Sequence, residues 1–352
     1  MGRTMTGTEI TSIVDDVSRT VNAVPADRRG ALLMELRRLI DSEILGLSRN
    51  IPALACPGCG SESFVKHGTT ATGIQRYRCR DCGRTFVQQS CGRLLRNTKL
   101  TDGQWYRFAE CFVDGDVLSQ VVRKCEVCMK TAWFMRHRMM ELVYANIPSF
   151  EVKDGVRIQT DEIYFEETFK GNQLKAGFKM PRAPYVHGSK GHPVGMTDRK
   201  ICVLTGINDM GDMFYDVVCR GWYDRESARI SLDRNVGKGA IIVTDNHASY
   251  IRNLREMGIV HEYHPASEHG PLNRVNALHR RIRAFLRPFN GVSTKYLAKY
   301  LGWFKWLEAF RGDDSVGSAA SQIATGGYDT LWRDVRNIPF PFRDADGNPT
   351  KF

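Results

Sequence analysis

The chain has 352 residues, of which 42% are hydrophobic and 25% charged, a composition typical of a folded globular protein rather than a disordered one. No run approaches about eighteen apolar residues, and the N-terminus lacks an apolar stretch with a cleavage site, so neither a membrane-spanning helix nor a secretory signal is expected. The net charge of +11 suits a polyanionic partner, nucleic acid before membrane, with an ordinary basic enzyme as the alternative.

Residues 1–50 are predicted to be a separate segment with a pair of amphipathic helices over 8–48. Apolar residues recur at helical spacing on both sides of Pro25, which breaks the pattern. These residues are Val14, Val17, Val21, Leu32, Leu33, Leu36, Leu39 and Ile40. The pair would serve for dimerisation or docking, or would be a simple cap.

Residues 51–92 contain two Cys-x-x-Cys pairs, the spacing of a zinc ribbon. The four cysteines are Cys56, Cys59, Cys79 and Cys82. Since cysteine fills all four positions of a tetrahedral ion, no position remains for water, and the zinc is predicted to be structural. Two unrelated reduced pairs are the alternative.

The rest of this segment fits a ribbon. Gly58 or Gly60, and Gly83, would relax the backbone behind each pair, while Tyr77 and Phe86 would form its small core. The intervening His67 is predicted to be a surface residue rather than a ligand. Four arginines suggest a face that contacts phosphate, with a solvated basic surface as the alternative. They are Arg76, Arg78, Arg80 and Arg84.

Residues 93–150 are predicted to be a helix-turn-helix DNA-binding domain, within LSQVVRKCEVCMKTAWFMRHRM. Its first helix would be apolar, with Leu118, Val121 and Val122, and its second would begin at about Lys130. Core positions fall at Cys125 and Val127, and the N-cap of the second helix falls at Cys128. Glu126 stands where this motif prefers glycine.

The second of these helices would present side chains to bases and phosphates in the major groove. The candidates, all expected to be exposed, are Lys130, Thr131, Arg136 and Arg138. Bare packing of two helices is the alternative, and the neighbouring zinc ribbon favours DNA.

Residues 151–312 are predicted to form an α/β domain whose elements follow the order β-β-β-α-β-α-β-α. Three strands in hairpin succession followed by crossover helices give a mixed sheet with helices on both faces. Asp161 lies in the first strand, and Asp245 ends the fourth, so the two carboxylates would meet on neighbouring strands. A buried pair of carboxylates is costly unless a cation such as Mg²⁺ lies between them. The alternative for Asp245 is a cap of the following helix.

The third metal ligand is expected on the helix over 274–287, where Asn276 and Arg283 are seven residues apart and point the same way. Asn276 would offer a neutral oxygen to the metal, and Arg283 would hold a phosphate. His279 is an extra candidate, as a ligand or DNA contact, against a plain surface histidine. Glu268 would restore a set of three carboxylates from a loop, but Asn276 is preferred.

Together with the ribbon and the helix-turn-helix, the segments TDEIYFEETFKG, KICVLTGI, VTDNH and VNALHRRIRAFLRPFNGVSTKYLAKYLGWFKWLE resemble bacterial insertion-sequence transposases. The resemblance is to the group with an N-terminal four-cysteine ribbon and a DDE-like domain whose third acid is often Asn. It covers about residues 51–310. Residues 313–352, rich in Gly, Asp and Pro, are left as a C-terminal tail.

The resemblance implies a ribonuclease-H-like catalytic core that uses Mg²⁺ or Mn²⁺. Asp161 and Asp245 correspond to its first two acids and Asn276 to the third position, while Arg283 stands where lysine is usual. That change keeps the charge but alters the geometry. The region 168–197 resembles the basic insert of the family, whose Lys and Arg residues would meet the DNA backbone.

The sequence therefore predicts a cytoplasmic, nucleoid-associated DNA transposase. It would bind the terminal inverted repeats of an insertion sequence, hydrolyse a phosphodiester at the element end and join the freed 3′-OH to target DNA. Since two ends are handled together, a homodimer or larger assembly on DNA is expected. A non-catalytic DNA-binding protein derived from a transposase and a zinc-ribbon nuclease are the alternatives.

Overall fold

The computed structural model shows two compact units. Unit 1 comprises Met1–Cys128 with Val316–Asp329, and unit 2 comprises Met129–Ser315 with Thr330–Phe352. The division at Cys128 falls inside the predicted 93–150 domain, and the predicted tail is shared between both units. The structure describes residues 7–48, 55–56, 58–70, 75–87, 98–147, 149–150, 154–172, 178, 180–181, 197, 199–236, 239–245, 248–264, 270, 272–312, 314–325, 332–344 and 348–349.

Unit 1 begins with the predicted helix pair, α1 (Gly7–Ala23) and α2 (Ala26–Ser48). The break falls at Pro25, as the sequence predicts, because proline begins a helix easily but interrupts one that precedes it. Several apolar side chains of both helices are exposed, among them Val14 and Leu39.

Three short strands follow in an antiparallel sheet of order β1-β2-β3. They are β1 (Phe64–Thr69), β2 (Gln75–Cys79) and β3 (Thr85–Val87). Two helices then complete the N-terminal part of unit 1, α3 (Asp102–Val113) and α4 (Leu118–Cys125). A capping box starts α3, since Thr101 accepts from the backbone of Gln104 and the Gln104 side chain accepts from the backbone of Thr101.

Unit 2 is built on a five-stranded mixed sheet of order β6-β5-β4-β7-β8. Its first three strands pair antiparallel, whereas β7 runs parallel to β4 and β8 parallel to β7. The strands are β4 (Arg157–Glu166), β5 (Lys200–Asn208), β6 (Met213–Arg220), β7 (Ile241–Asp245) and β8 (Val260–His264). The predicted mixed α/β sheet is therefore confirmed.

Helices cover both faces of this sheet. Ile158 and Ile242 point to a core completed by Leu232 and Leu254, whereas Ile163 points to a second core on the opposite face. The helices of unit 2 are α5 (Met129–Asn146), α6 (Arg225–Asn235), α7 (Ala248–Met257), α8 (Asn273–Leu286), α9 (Leu297–Ala309) and α11 (Trp332–Asn337). Helix α10 (Ser315–Thr325) falls almost entirely in unit 1.

A short break separates the last two long helices of the sheet domain, α8 and α9. Helix α8 ends at Leu286, a 3-10 turn spans Arg287–Phe289, and Asn290 and Gly291 take positive φ before α9 begins. Pro288 cannot continue the preceding hydrogen-bond ladder, so the chain turns there.

The C-terminal region, which the sequence left uninterpreted, is tied to the sheet domain by a buried carboxylate. Glu167, directly after β4, is 2% exposed and accepts from Arg343 at 2.6 Å and from Arg220 at 3.1 Å. A buried charge of this kind is tolerated because it is paired and hydrogen-bonded. Among the described residues, no helix combines the length and apolar character needed to cross a membrane.

Candidate functional site

The four cysteines of the ribbon lie together at metal-ligand distance. Cys56 Sγ is 3.6 Å from Cys82 Sγ, and Cys59 Sγ is 3.6 Å from Cys79 Sγ. Sulfurs about 2.3 Å from one zinc are separated by about 3.8 Å in a tetrahedron, so the arrangement fits a structural zinc. Among the described residues, these four cysteines form the group of three or more His, Cys, Asp or Glu side chains whose ligand atoms all lie within 4.8 Å of one another.

The local structure of the ribbon explains this convergence. Gly60 and Gly83 take positive φ behind the two cysteine pairs, which settles the choice between Gly58 and Gly60. Tyr77 and Phe86 are buried with Phe64 and form the predicted core. His67 is exposed on β1, as predicted for a surface residue.

Basic side chains mark the outer surface of the ribbon. Arg78, Arg80 and Arg84 are exposed, and Arg76 is half-buried. Because Arg76 and Arg78 alternate along β2 with the buried Tyr77, they point away from the core. The structure thus leaves these guanidinium groups accessible to a phosphate backbone.

The turn between α4 and α5 falls where the sequence predicts the turn of a helix-turn-helix. Glu126 ends α4 with φ 54° and ψ 49°, the left-handed conformation that favours glycine. Cys125 is buried, as predicted, and Cys128 directly precedes α5. The two helices belong to different compact units.

On α5, the structure corrects part of the predicted recognition surface. Lys130 is exposed and Thr131 half-buried, but Arg136 and Arg138 are only 3% and 7% exposed, so the prediction that these two are exposed is wrong. Arg136 stacks over the rings of Phe289 and Trp303 at 5.3 and 5.5 Å. Both arginines lie on the side of α5 that packs into unit 2, a choice that helical spacing alone does not decide.

The two predicted acids, Asp161 and Asp245, lie level with each other on neighbouring strands. The parallel pairing of β4 and β7 matches Gln159 with Val243, and each aspartate follows its strand's matched residue by two positions. Because side chains alternate, both carboxylates therefore point to the same face of the sheet, the face covered by α8. The two carboxylates are close enough for the charge of Asp245 to raise the pKa of Asp161.

Two further residues lie level with Asp161 and Asp245, so that the four side chains form a row across the sheet. Thr205 of β5 is opposite Asp161, and His264 of β8 is opposite Asp245. The row thus crosses four adjacent strands on one face. The sequence analysis did not identify either residue. A signal for His264 was available, because it is the last residue of β8 as Asp245 is the last residue of β7.

Helix α8 is fastened to the acidic face by a side chain of β4. Gln159 Oε1 accepts from the backbone N–H groups of Arg274 and Val275, at 2.9 and 3.2 Å. Both N–H groups belong to the first turn of α8, where the helix itself supplies no hydrogen-bond acceptor. Since Gln159 and Asp161 share a face, this cap sets the start of α8 beside the acids.

His279 projects from α8 onto Asp161. Its Nε2 is 2.7 Å from Thr205 Oγ1, and its Nδ1 is 3.8 Å from Asp161 Oδ2. The side chain is buried, so the alternative of a plain surface histidine is wrong. Burial, and secondarily the charge of Arg283, lower the pKa of His279 to about 4, so the ring is neutral at pH 7 and its contact with Asp161 is no ion pair.

The other residues predicted on α8 lie near His279 but are exposed. Asn276 precedes it by three positions and Arg283 follows it by four, so both are its neighbours on the helix surface. Glu268 lies outside the described residues. Much of the predicted basic insert over 168–197 also lies outside them.

Burial and neighbouring carboxylates disfavour the charged form of Asp161. Burial first, and then the charges of Glu162 and Asp245, raise the pKa of Asp161 to about 7. Glu162, on the opposite face of β4, also has a raised pKa, chiefly through burial and partly through Asp245, although a hydrogen bond from Tyr250 opposes the rise. Sequence reasoning did not single out Glu162.

Comparison with known proteins identifies relatives of part of the chain. Residues 53–83 match the family model of the InsA N-terminal domain, a zinc ribbon. An uncharacterized protein in the transposable element ISH50 of Halobacterium salinarum is 26% identical over 119 residues, which cover 34% of this chain and 38% of that protein. The chain thus spans well under two thirds of the length of this relative.

Solved structures give weaker likenesses. The Mos1 transposase paired-end complex with left transposon end is 13% identical with a TM-score of 0.27, over 62% of this chain and 75% of that chain. A simian T-cell lymphotropic virus intasome in complex with PP2A regulatory subunit B56 gamma is 12% identical with a TM-score of 0.27, over 45% and 51%. The ribbon match and the transposable-element relative confirm the resemblance to insertion-sequence transposases with an N-terminal zinc ribbon.

Proposed function

We propose that this chain is a metal-dependent DNA transposase with a ribonuclease-H-like catalytic domain. The observation that carries the proposal is the row in which Asp161 and Asp245 share one level and one face of the sheet, beneath a helix that Gln159 fastens there. Carboxylates arranged in this way are the oxygen ligands that Mg²⁺ and Mn²⁺ prefer.

The donor set fits a divalent cation. The raised pKa of Asp161 reports repulsion between neighbouring carboxylates and poor solvation, both of which a bound cation relieves. Asp161 and Asp245 would hold Mg²⁺ or Mn²⁺, and the exposed amide of Asn276 would supply a third oxygen. When bound, the metal would supply positive charge that stabilises a phosphodiester under attack.

The chain itself would position the DNA. The Arg283 guanidinium, two turns beyond Asn276, is exposed and suited to a phosphate oxygen beside the acids. Water would be the first nucleophile and the freed 3′-OH the second, each aligned against a phosphate held in the site. Catalysis would thus consist of positioning and charge stabilisation, without a covalent protein intermediate.

Recognition of the terminal inverted repeats would fall to the N-terminal elements. The accessible arginines of the ribbon supply phosphate contacts, and Lys130 is exposed in the first turn of α5, where a recognition helix meets DNA. Because two ends must be joined, the working complex would contain two or more copies on DNA.

A strand-transfer assay tests the proposal, with a pre-cut DNA end whose sequence is taken from the DNA that flanks the gene. Joined product in the presence of Mg²⁺ or Mn²⁺ is the expected result. Nicking without joining would instead identify a zinc-ribbon nuclease, and retention of DNA without either reaction would identify a binding protein. The alternative of a binding protein is supported by Asn276, because this exposed residue puts an uncharged side chain in the position of the third metal ligand.

A further inference from the structure

The contacts of His279 determine which of its ring nitrogens carries a proton. The Thr205 hydroxyl has one hydrogen, which it donates to the backbone carbonyl of Asp161 at 3.0 Å. The 2.7 Å contact between Thr205 Oγ1 and His279 Nε2 must therefore be a hydrogen bond donated by Nε2–H. In the neutral ring, this leaves Nδ1 with a free lone pair.

The same contacts aim that lone pair at the acidic site. Nδ1 is 3.8 Å from Asp161 Oδ2, which is too long for a hydrogen bond. Two ligand atoms about 2.1 Å from a common ion lie about 3.0 Å apart when adjacent and about 4.2 Å apart when opposite. The observed separation falls between these values, so one ion can reach both atoms.

We propose that His279, through Nδ1, is a nitrogen ligand of the divalent ion that Asp161 holds, and that Thr205 fixes the ring for this task. The inference rests on the proposed function, because it concerns the same ion. It adds a residue contributed by α8 and predicts a metal preference, since an imidazole nitrogen is a softer ligand than the oxygens that Mg²⁺ favours. The site should therefore hold Mn²⁺ in preference to Mg²⁺.

The Thr205–His279 pair has a matched control on the other face of the sheet. His261 Nε2 is 2.8 Å from Thr244 Oγ1, and that hydroxyl donates to the carbonyl of Asp245 at 2.7 Å. His261 is opposite Ile242, whose side chain lies in the core away from α8. It is therefore a histidine of the same local chemistry that should not touch the metal.

The test uses the full-length chain with its ribbon loaded with zinc and Mn²⁺ as the probe. Pulsed electron paramagnetic resonance detects ¹⁴N coupling from a nitrogen bound directly to Mn²⁺. We expect this coupling in the native chain and in His261→Gln, and its loss in His279→Gln together with a Mn²⁺ affinity about tenfold or more lower.

Two more variants separate a ligand from a merely structural histidine. His279→Glu should restore Mn²⁺ affinity without ¹⁴N coupling and improve the relative affinity for Mg²⁺, because a carboxylate replaces the imidazole as ligand. Thr205→Val should weaken Mn²⁺ binding about tenfold while the fold, followed by circular dichroism, is retained.

Persistence of the ¹⁴N coupling in His279→Gln, or its absence from the native chain, would overturn the assignment of His279. If Asp161→Asn still abolishes Mn²⁺ binding in that case, the proposed metal site stands without its nitrogen ligand. Mn²⁺ binding unchanged by Asp161→Asn would instead remove the metal site on which the proposed function depends.

Discussion

Asp161 and Asp245, 84 positions apart in the chain, lie level on two neighbouring parallel strands with their carboxylates on the same face. The charge of Asp245 helps to raise the pKa of Asp161, after burial and the charge of Glu162. This relationship links the fold to the proposed chemistry, because a cation shared by the two carboxylates would stabilise the charged form of Asp161.

Replacing either acid by its amide should abolish strand transfer and leave DNA binding nearly unchanged. We expect Asp161→Asn and Asp245→Asn to lower the transfer rate on the order of a thousandfold or more, because several kcal/mol of charge stabilisation are lost. Transfer assays and gel shifts with the same DNA measure the two effects. Asp216→Asn is the matched control, since Asp216 is a partly buried strand aspartate paired with Arg234. Normal transfer in both site variants would remove the two acids from the reaction.

The pH dependence of stability should reveal the raised pKa of Asp161, which lies at about 7 against an ordinary 3.8. Between these values the folded state holds more protons than the unfolded state, so this group's contribution to stability falls as pH rises towards 7. Asp161→Asn should therefore raise the melting temperature of the metal-free protein at pH 8 by a few degrees, on the order of 1–2 kcal/mol, and have little effect at pH 4. An equal effect at both pH values would contradict this account.

Removing the cap on α8 should loosen the acidic site. Gln159→Ala leaves two N–H groups of the first turn without their acceptor, which should cost about 1–2 kcal/mol in the free energy of unfolding. Urea denaturation measures this loss, and Mn²⁺ titration should show weaker binding. Gln159→Glu keeps an acceptor at the positive end of the helix and should retain both properties. If both variants behave alike, the cap does not position the helix.

The ribbon should depend on its zinc for structure. Cys59→Ser should lower the zinc content from about one ion per chain to near zero and weaken binding to the inverted repeats about tenfold, because metal binding here is folding energy. Cys128→Ser serves as the control, since Cys128 is also exposed but lies outside the ribbon. Metal analysis and gel shifts give the result, and unchanged zinc in Cys59→Ser would refute the four-cysteine site.

Two basic residues on α5 should behave differently. Arg136→Ala should destabilise the protein by about 2–3 kcal/mol, because a buried guanidinium stacked on two aromatic rings is removed. Lys130→Ala should change the free energy of unfolding by less than about 1 kcal/mol. It should weaken DNA binding and lower the number of counterions released on binding by about one. Urea denaturation and binding at several salt concentrations distinguish the two. The reverse pattern would restore Arg136 to the DNA-contacting surface.

Local patterns in the sequence determined much of this protein. The cysteine spacing predicted the ribbon, because ligand spacing is a short-range property. Alternation and turn signals predicted the order of strands and helices, and the strand order in turn predicted that Asp161 and Asp245 would be neighbours. These features depend on residues close in the chain or on connection rules that hold for most sheets.

Only the tertiary structure decided which side of each helix meets a partner. The helical pattern predicts that both Arg136 and Lys130 are exposed, but packing within unit 2 buries Arg136. The sequence left His279 open as a surface residue or a ligand. The structure buries it where α8 packs on the sheet, with its ring held by Thr205. The physical reason is that periodicity fixes which side chains share a face, whereas the partner of that face is set by contacts between residues far apart in sequence.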